Sequence, residues 1–333
     1  MTGRVLITGS AGFVGHQMTS KFIKNGYSVV GLDRLSHSGN LNRLREILTE
    51  EERANYTPCY HDLRSEIHDT LVRQLGSFDY IIHVAASSHV DRSIDGPLYF
   101  VMDNVVGTCN ILDFARKQKN LKKFIYFSTD EIFGPAPPGV SYDEYDRYNS
   151  TNPYSASKAG AEELCVAFRN TYKVPVIITH TMNIFGARQH SEKFVPLCIS
   201  KVLKGEKIFI HADETCTAPG SRHYIHVEDV ADAIYFLIEN NVDAEMPGYC
   251  PKFNVVGKEE VDNLTMAQYI AEAVGKPLCY ELVDFHSSRP GHDLRYALSG
   301  ERLKKAGWEP KISLKDSIKD VVDWSVKNAT WLA

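Results

Sequence analysis

Thr8-Gly9-Ser10-Ala11-Gly12-Phe13-Val14-Gly15 decides how this chain folds. It follows a β-rich run, Arg4 to Thr8, and opens an amphipathic stretch, Phe13 to Lys24, that stops at Gly26. A strand that turns on glycines directly into a helix presents unpaired N–H groups and the positive dipole end to a pyrophosphate. Gly9 permits the tight turn, Gly12 lets backbone approach the phosphates, and Gly15 lets the helix pack close to the strand. Ser28 to Leu32 repeats the buried-strand pattern and ends on Asp33. A carboxylate there accepts hydrogen bonds from the adenosine ribose and repels a 2′-phosphate, which favours NAD over NADP; Arg34 beside it points the other way. Asp62-Leu63, after the third strand, could contact adenine. A tight turn that binds nothing is the competing reading of the loop, and strand, turn, helix and acid in this order weigh against it.

Outward from this unit, Tyr80 to Val84, Phe124 to Phe127 and Val174 to Thr179 are further strand patterns with helical patterns between them. The alternation predicts an α/β fold with a doubly wound parallel sheet. After about Asn183 the rhythm loosens into helical patterns at Phe194 to Leu203, Val230 to Glu239 and Met266 to Val274, with short strands near Lys207 to Ile210 and Phe253 to Val256. We expect a first domain over 1–185 and a smaller C-terminal α/β substrate domain over 186–333, with some chain crossing back. The 333 residues are 43% hydrophobic and 24% charged, with a formal charge of −5. That balance argues against nucleic acid or an anionic membrane as partner, and the longest apolar runs fall far short of a membrane span. Seven scattered cysteines with no CxxC pair and thirteen histidines without a ligand spacing predict reduced thiols, no metal and a cytoplasmic location.

Two clusters suggest chemistry. Tyr154-Ser155-Ala156-Ser157-Lys158 puts a phenol and an ammonium on one helical face, where the lysine would favour the phenolate and hold the nicotinamide ribose. Phe127-Ser128-Thr129-Asp130-Glu131 lies at the carboxyl end of a predicted central strand, where open parallel sheets bind ligands. Adjacent carboxylates beside a substrate can have their pKa values pushed apart, one donating a proton and the other removing one. An exposed helix pair and a solvated N-cap are the plain alternatives, and spacing alone leaves the second case even.

Taken together the chain resembles the extended short-chain dehydrogenase/reductase family, and within it the nucleotide-sugar 4,6-dehydratases, those acting on dTDP-glucose above all. The likeness runs from the glycine loop to about Trp308. It is carried by Asp33-Arg34-Leu35-Ser36 with Gly39-Asn40-Leu41, by Ala85-Ala86-Ser87-Ser88-His89-Val90-Asp91-Arg92-Ser93, by Ser128 to Gly134, by Asn183 with Gln189 and Glu192-Lys193, and by Arg289-Pro290-Gly291-His292-Asp293. The resemblance implies a Rossmann-type fold, NAD as cofactor, and a dTDP- or UDP-glucose substrate. The 4-hydroxyl is oxidised with Tyr154 and Lys158, water is eliminated across C5 and C6 by Glu131 as base and Asp130 as acid, and hydride returns to C6. Thr129 would hydrogen-bond the 4-oxygen. The implied cofactor set is Gly9, Gly12, Phe13, Val14, Gly15, Asp33, Arg34, Ser36, Asp62, Leu63, Ala85, Ala86 and Ser88, with Tyr154 and Lys158. The implied substrate set is Ser88, Thr129, Asn183, Lys193, Arg222, Asn263, Arg289 and His292.

The chain also departs from the family pattern. Ser87 stands where Glu is usual, Asp103 where a Thr near the cofactor is usual, and Ile184 replaces the second of two asparagines. Ala212-Asp213-Glu214 replaces a Gly-Asp-Gly turn, the loop from Thr215 to Ser221 is longer, and His223-Tyr224 follows Arg222 in place of Asp-Trp. Apolar residues on more than one face of Leu98 to Phe114, together with the helix from Tyr154 to Tyr172, are in this family a four-helix dimer interface, so a homodimer is expected. The competing activities are a nucleotide-sugar 4-epimerase, a UDP-glucuronate decarboxylase and, in a different class, a catalytically dead NAD-binding sensor.

Overall fold

The structure, a computed structural model, describes residues 2–242, 249–284 and 294–333. Its centre is a seven-stranded sheet in the order β10-β6-β5-β4-β1-β2-β3, with every neighbouring pair parallel. The strands are β1 (Arg4–Thr8), β2 (Ser28–Asp33), β3 (Tyr56–Tyr60), β4 (Tyr80–His83), β5 (Lys123–Thr129), β6 (Val176–Thr181) and β10 (Lys252–Val255). Val5, Leu6, Ile7, Phe124, Ile125 and Tyr126 are fully buried, as strands covered on both faces require. The strand order reverses beside β1, between β4 and β2. That reversal opens a crevice at the carboxyl ends of the strands. The edge strand β3 is mostly exposed and carries Pro58, which a central strand would not tolerate.

Helices α1 (Phe13–Lys24), α2 (Gly107–Arg116), α3 (Pro153–Tyr172) and α5 (Val227–Glu239) flank this sheet. The segment before α2 is unbroken helix, Pro97–Phe100 leading into a π-helical turn, Val101–Val106. The wider turn shifts the side-chain register, which is why apolar residues in this stretch occupy more than one face. In the single chain one of those faces is open: Leu98, Tyr99 and Val101 are exposed while Phe100, Ile111 and Leu112 are buried.

The C-terminal half adds β7 (Asn183–Phe185), β9 (Ser221–His226) and β11 (Glu260–Asp262) as a three-stranded sheet, and pairs β8 (Ile208–Ala212) with β12 (Tyr280–Asp284). Helices α4 (Phe194–Lys204), α6 (Asn263–Val274) and α7 (Leu314–Lys327) enclose a separate core around Cys198, Ile199, Met266, Ile270 and Ile318. Strand β10 returns from this half to pair with β6, tying the two parts into one body. Among the described residues no helix is long and apolar enough to cross a membrane, and all seven cysteines are free.

Candidate active site

A cavity of about 390 Å³ runs along the carboxyl ends of the central strands. The glycine loop forms one wall. Gly9 has φ +71, and a Cβ there would lie 2.9 Å from the Ala85 backbone; one at Gly15 would lie 2.0 Å from the Gly9 carbonyl oxygen. Only glycine fits either position. The Asp33 carboxylate accepts from the Ala11 N–H at 3.0 Å and the Leu35 N–H at 2.8 Å, so it is fixed at the cavity wall. Every residue of the implied cofactor set, including Ser36, Ala85, Ala86 and Ser88, lines this cavity. A cradle that a Cβ would fill, opposite an oriented carboxylate, fits a dinucleotide such as NAD.

At the inner end stand Thr129, Asp130 and Glu131. Strand β5 stops at Thr129, and a 3-10 turn over Asp130–Phe133 begins, with the Glu131 N–H donating to the Thr129 hydroxyl. The turn holds both acids on the cavity side. The Thr129 hydroxyl donates to Asp130 Oδ1 at 3.0 Å, and the Asn152 amide donates to Glu131 Oε2 at 3.2 Å. Asp130 Oδ2 is buried without a hydrogen-bond partner, as are Ser128 Oγ, Thr181 Oγ1 and Gln189 Oε1, all in residues of the same lining. Burial pushes Asp130 up to about 6. Burial, then the charge of Asp130, pushes Glu131 up to about 7. Both carboxyls are therefore held above the ordinary carboxylate range.

Helix α3 begins just ahead of Tyr154 because Asn152 caps it, accepting from the Ser155 N–H in a reciprocal capping box, with Pro153 in the first turn. Tyr154 is 7% exposed and lines the same cavity as the acids and Thr129. Burial and the charges of Glu131 and Asp130 raise its phenol well above the ordinary value. Lys158 shares the helical face but its ammonium goes to the sheet, donating to the Phe127 carbonyl at 2.6 Å and lying over the Tyr126 ring. Burial lowers Lys158 to about 7. The i,i+4 spacing brings the two residues to one face, and the Phe127 carbonyl takes one hydrogen bond from the ammonium.

The outer end of the cavity is built from ion pairs. Arg34 donates to Asp103 Oδ1 at 2.7 Å and Oδ2 at 2.6 Å, and to the Tyr99 hydroxyl at 2.6 Å. Ser87 Oγ donates to Asp103 Oδ2 at 2.6 Å. Arg64 pairs with Asp62, holding that carboxyl down at about 2. Asn104, the next residue of the π-turn, accepts from the Ser87 N–H and donates to Ser157 Oγ, joining the loop after β4 to α3.

Arg43 was not legible as a site residue. It lies in a polar helical turn, Asn42–Ile47, yet is only 2% exposed and lines the cavity. Its guanidinium donates to the carbonyls of Ala11, Ser38 and Arg188 and lies 5.2 Å from the Trp331 ring. Arg188 in turn lies 4.6 Å from the Trp324 ring. A lone arginine in a polar stretch carries no periodic signal, and its aromatic partner is near the other end of the chain.

Of the implied substrate residues, Ser88, Thr129, Asn183 and Lys193 line the cavity. Arg222 and Asn263 do not. Arg222 donates to the Ser221 and Leu294 carbonyls and lies over the Tyr296 ring, although its charge still acts on Asp130 and Glu131. Asn263 Oδ1 accepts from the Tyr224 hydroxyl at 2.7 Å, and Tyr224 itself reaches the cavity. Arg289 and His292 lie outside the described residues. Among the described residues no cluster of His, Cys, Asp and Glu could hold a metal ion.

Comparison with known proteins agrees with this geometry. Residues 5–255 match the model of the NAD dependent epimerase/dehydratase family. A dTDP-glucose 4,6-dehydratase of Salmonella typhimurium is 34% identical over 353 aligned residues, spanning 99% of this chain and 94% of the relative. The low-salt glycan biosynthesis protein Agl12 of Haloferax volcanii is 36% identical, over 96% of this chain and 97% of its own. Among solved structures, DesIV of Streptomyces venezuelae, a dTDP-glucose 4,6-dehydratase with NAD and TYD bound, superposes with a TM-score of 0.86 at 29% identity, covering 98% of both chains.

Proposed function

The chain belongs to the NAD dependent epimerase/dehydratase family, and from that premise we propose that it is an NAD-dependent nucleotide-sugar 4,6-dehydratase, with dTDP-glucose the first candidate substrate. The observation that carries the reading is the pair of buried carboxylates, Asp130 and Glu131, in one cavity with Tyr154. A 4-epimerase has no use for these acids. A dead sensor would not need the intact Tyr154 and Lys158.

In this reading Tyr154 takes the proton of the sugar 4-hydroxyl, while Thr129 hydrogen-bonds the same oxygen. Bound NAD supplies the hydride acceptor at C4, a cationic ring that favours the phenolate, and the hydride returned to C6. Lys158 holds the nicotinamide ribose. The 4-ketone acidifies the C5 proton, which Glu131 removes; the Asn152 amide favours its ionised form, but in the chain by itself Glu131 is the more strongly raised acid, so bound substrate has to shift the proton to Asp130. Asp130 protonates the departing C6 hydroxyl, which leaves as water; as hydride returns to C6, protonated Glu131 delivers a proton to C5, and the proton taken up by Tyr154 makes good the one Asp130 gave. The enclosed cavity protects the unsaturated intermediate from solvent. The balance is loss of one water with no net consumption of NAD.

Residues 1–185 then carry the cofactor and 186–333 the nucleotide-sugar end, where Lys193 and Arg222, with Arg289, Asn263 and His292, serve the substrate diphosphate and its surroundings together with Asn183 from the end of the first part. A homodimer is supported by the exposed apolar side chains of Leu98, Tyr99 and Val101 and by Ala156 and Gly160, exposed on α3. A monomeric mass in solution at micromolar concentration would refute it. The free cysteines support a cytoplasmic location. The reaction is tested by offering dTDP-glucose, UDP-glucose and, as control, GDP-mannose, and weighing the products. Loss of one water with solvent deuterium at C5 is expected; an epimer of unchanged mass would overturn the proposal.

A further inference from the structure

Arg34 directly follows Asp33, and a free guanidinium at that point would attract a ribose 2′-phosphate. It is not free. Both of its terminal nitrogens donate to the Asp103 carboxylate, at 2.7 and 2.6 Å, and one also reaches the Tyr99 hydroxyl. Asp103 has a side chain only 5% exposed and is held from the other side by the Ser87 hydroxyl. Ser87 and Asp103 are two of the positions at which the chain departs from the family pattern, and here they meet. The carboxylate thus sits on the π-turn, within reach of both Ser87 and Arg34. Asp62 already has its own cation in Arg64. Of the three arginines in the lining, Arg34 and Arg64 are paired with carboxylates and Arg43 donates to backbone carbonyls.

We propose that Asp103 is a specificity-determining residue of this chain, selecting NAD over NADP by engaging the guanidinium of Arg34 that would otherwise bind a 2′-phosphate. Ser87 positions it. The cause is charge and geometry together: the bidentate pair engages both terminal nitrogens of Arg34, which also reach Tyr99 and Asp62, and the carboxylate itself repels a phosphate. Asp33 remains in place in every variant below, so the preference narrows without inverting.

The inference rests on NAD being the cofactor, and the test separates the two. Dissociation constants for NAD and NADP are measured by calorimetry on the purified chain and on D103N, R34A and the D103N/R34A double variant. Wild-type binding of NAD tests the cofactor; the ratio of the two constants tests Asp103. D103N keeps the shape and loses the charge, and is expected to narrow the ratio by about tenfold or more through tighter NADP binding. Adding R34A is expected to erase that gain. S87A, which leaves the charge but removes its support, moves the ratio the same way by less, and reads the effect if D103N does not fold. An unchanged ratio in D103N or S87A, or a gain that survives R34A, overturns the proposal.

Discussion

The two ends of the cavity treat charge in opposite ways. At the outer end every ionised group has an oriented partner: Arg34 on Asp103, Arg64 on Asp62, and Asp33 on two backbone N–H groups. At the inner end the titratable groups are buried and under-partnered. Asp130 keeps an oxygen with no hydrogen bond, Asp130 and Glu131 are both raised, and the Tyr154 phenol is raised by the same two acids. Satisfied pairs do not change protonation near neutral pH and suit recognition. Buried groups short of partners exchange protons readily, and that is what acid–base chemistry needs.

The largest break at the inner end comes from removing the phenol. Y154F should lower kcat by about 10²–10⁴ while the calorimetric affinity for NAD stays near wild type. A loss confined to KM would mean that Tyr154 only binds. Next, G15A puts a Cβ onto the Gly9 carbonyl, and overpacking of this kind costs about 1–3 kcal/mol or more. Lower thermal stability together with lost NAD binding is expected, and unchanged melting would contradict the close helix–strand contact.

The difference between the ends should also appear as pH dependence. The folded state binds protons at Asp130 and Glu131 more tightly than the unfolded chain does. Their stabilising share is complete below the unfolded carboxyl range of about 4 and is lost as pH rises through about 6 to 7. Melting temperature should fall by a few degrees over that interval, and the fall should flatten in D130N/E131Q. Asp62, held low by Arg64, acts in the opposite sense: its stabilisation is present above about 4 and is lost as pH drops towards about 2. The smallest effect is expected at Arg43. W331A removes a ring worth about 0.5–1 kcal/mol and should weaken NAD binding only a few-fold. No change in affinity would show that the ring does nothing for the cofactor loop.

How much of this was legible follows from where each signal lies along the chain. The unit from β1 through the glycine loop to α1 and Asp33 is local, its periodicity is strong, and its outline could be read residue by residue. Strand β3 could not, because an exposed edge strand with a proline lacks the alternation of a half-buried one. Strands β7 and β11 are too short for a period to register. The acids were readable as a candidate because they close a buried strand, but their raised pKa values depend on burial, which no spacing reports. The lysine shows a related limit: spacing fixes a helical face and says nothing about the carbonyl on the sheet that accepts from its ammonium. The meeting of Ser87, Asp103 and Arg34 joins three distant segments, so each departure looked like an isolated oddity until the fold brought them together.

The inner end is tested most directly by D130N/E131Q supplied with dTDP-glucose, following the near-ultraviolet absorbance of reduced nicotinamide and the product mass together. If Asp130 and Glu131 carry the elimination, reduced nicotinamide and the 4-ketone accumulate on the enzyme and no water is lost. Wild-type release of the dehydrated sugar by this variant would show that the two acids do not perform the chemistry assigned to them.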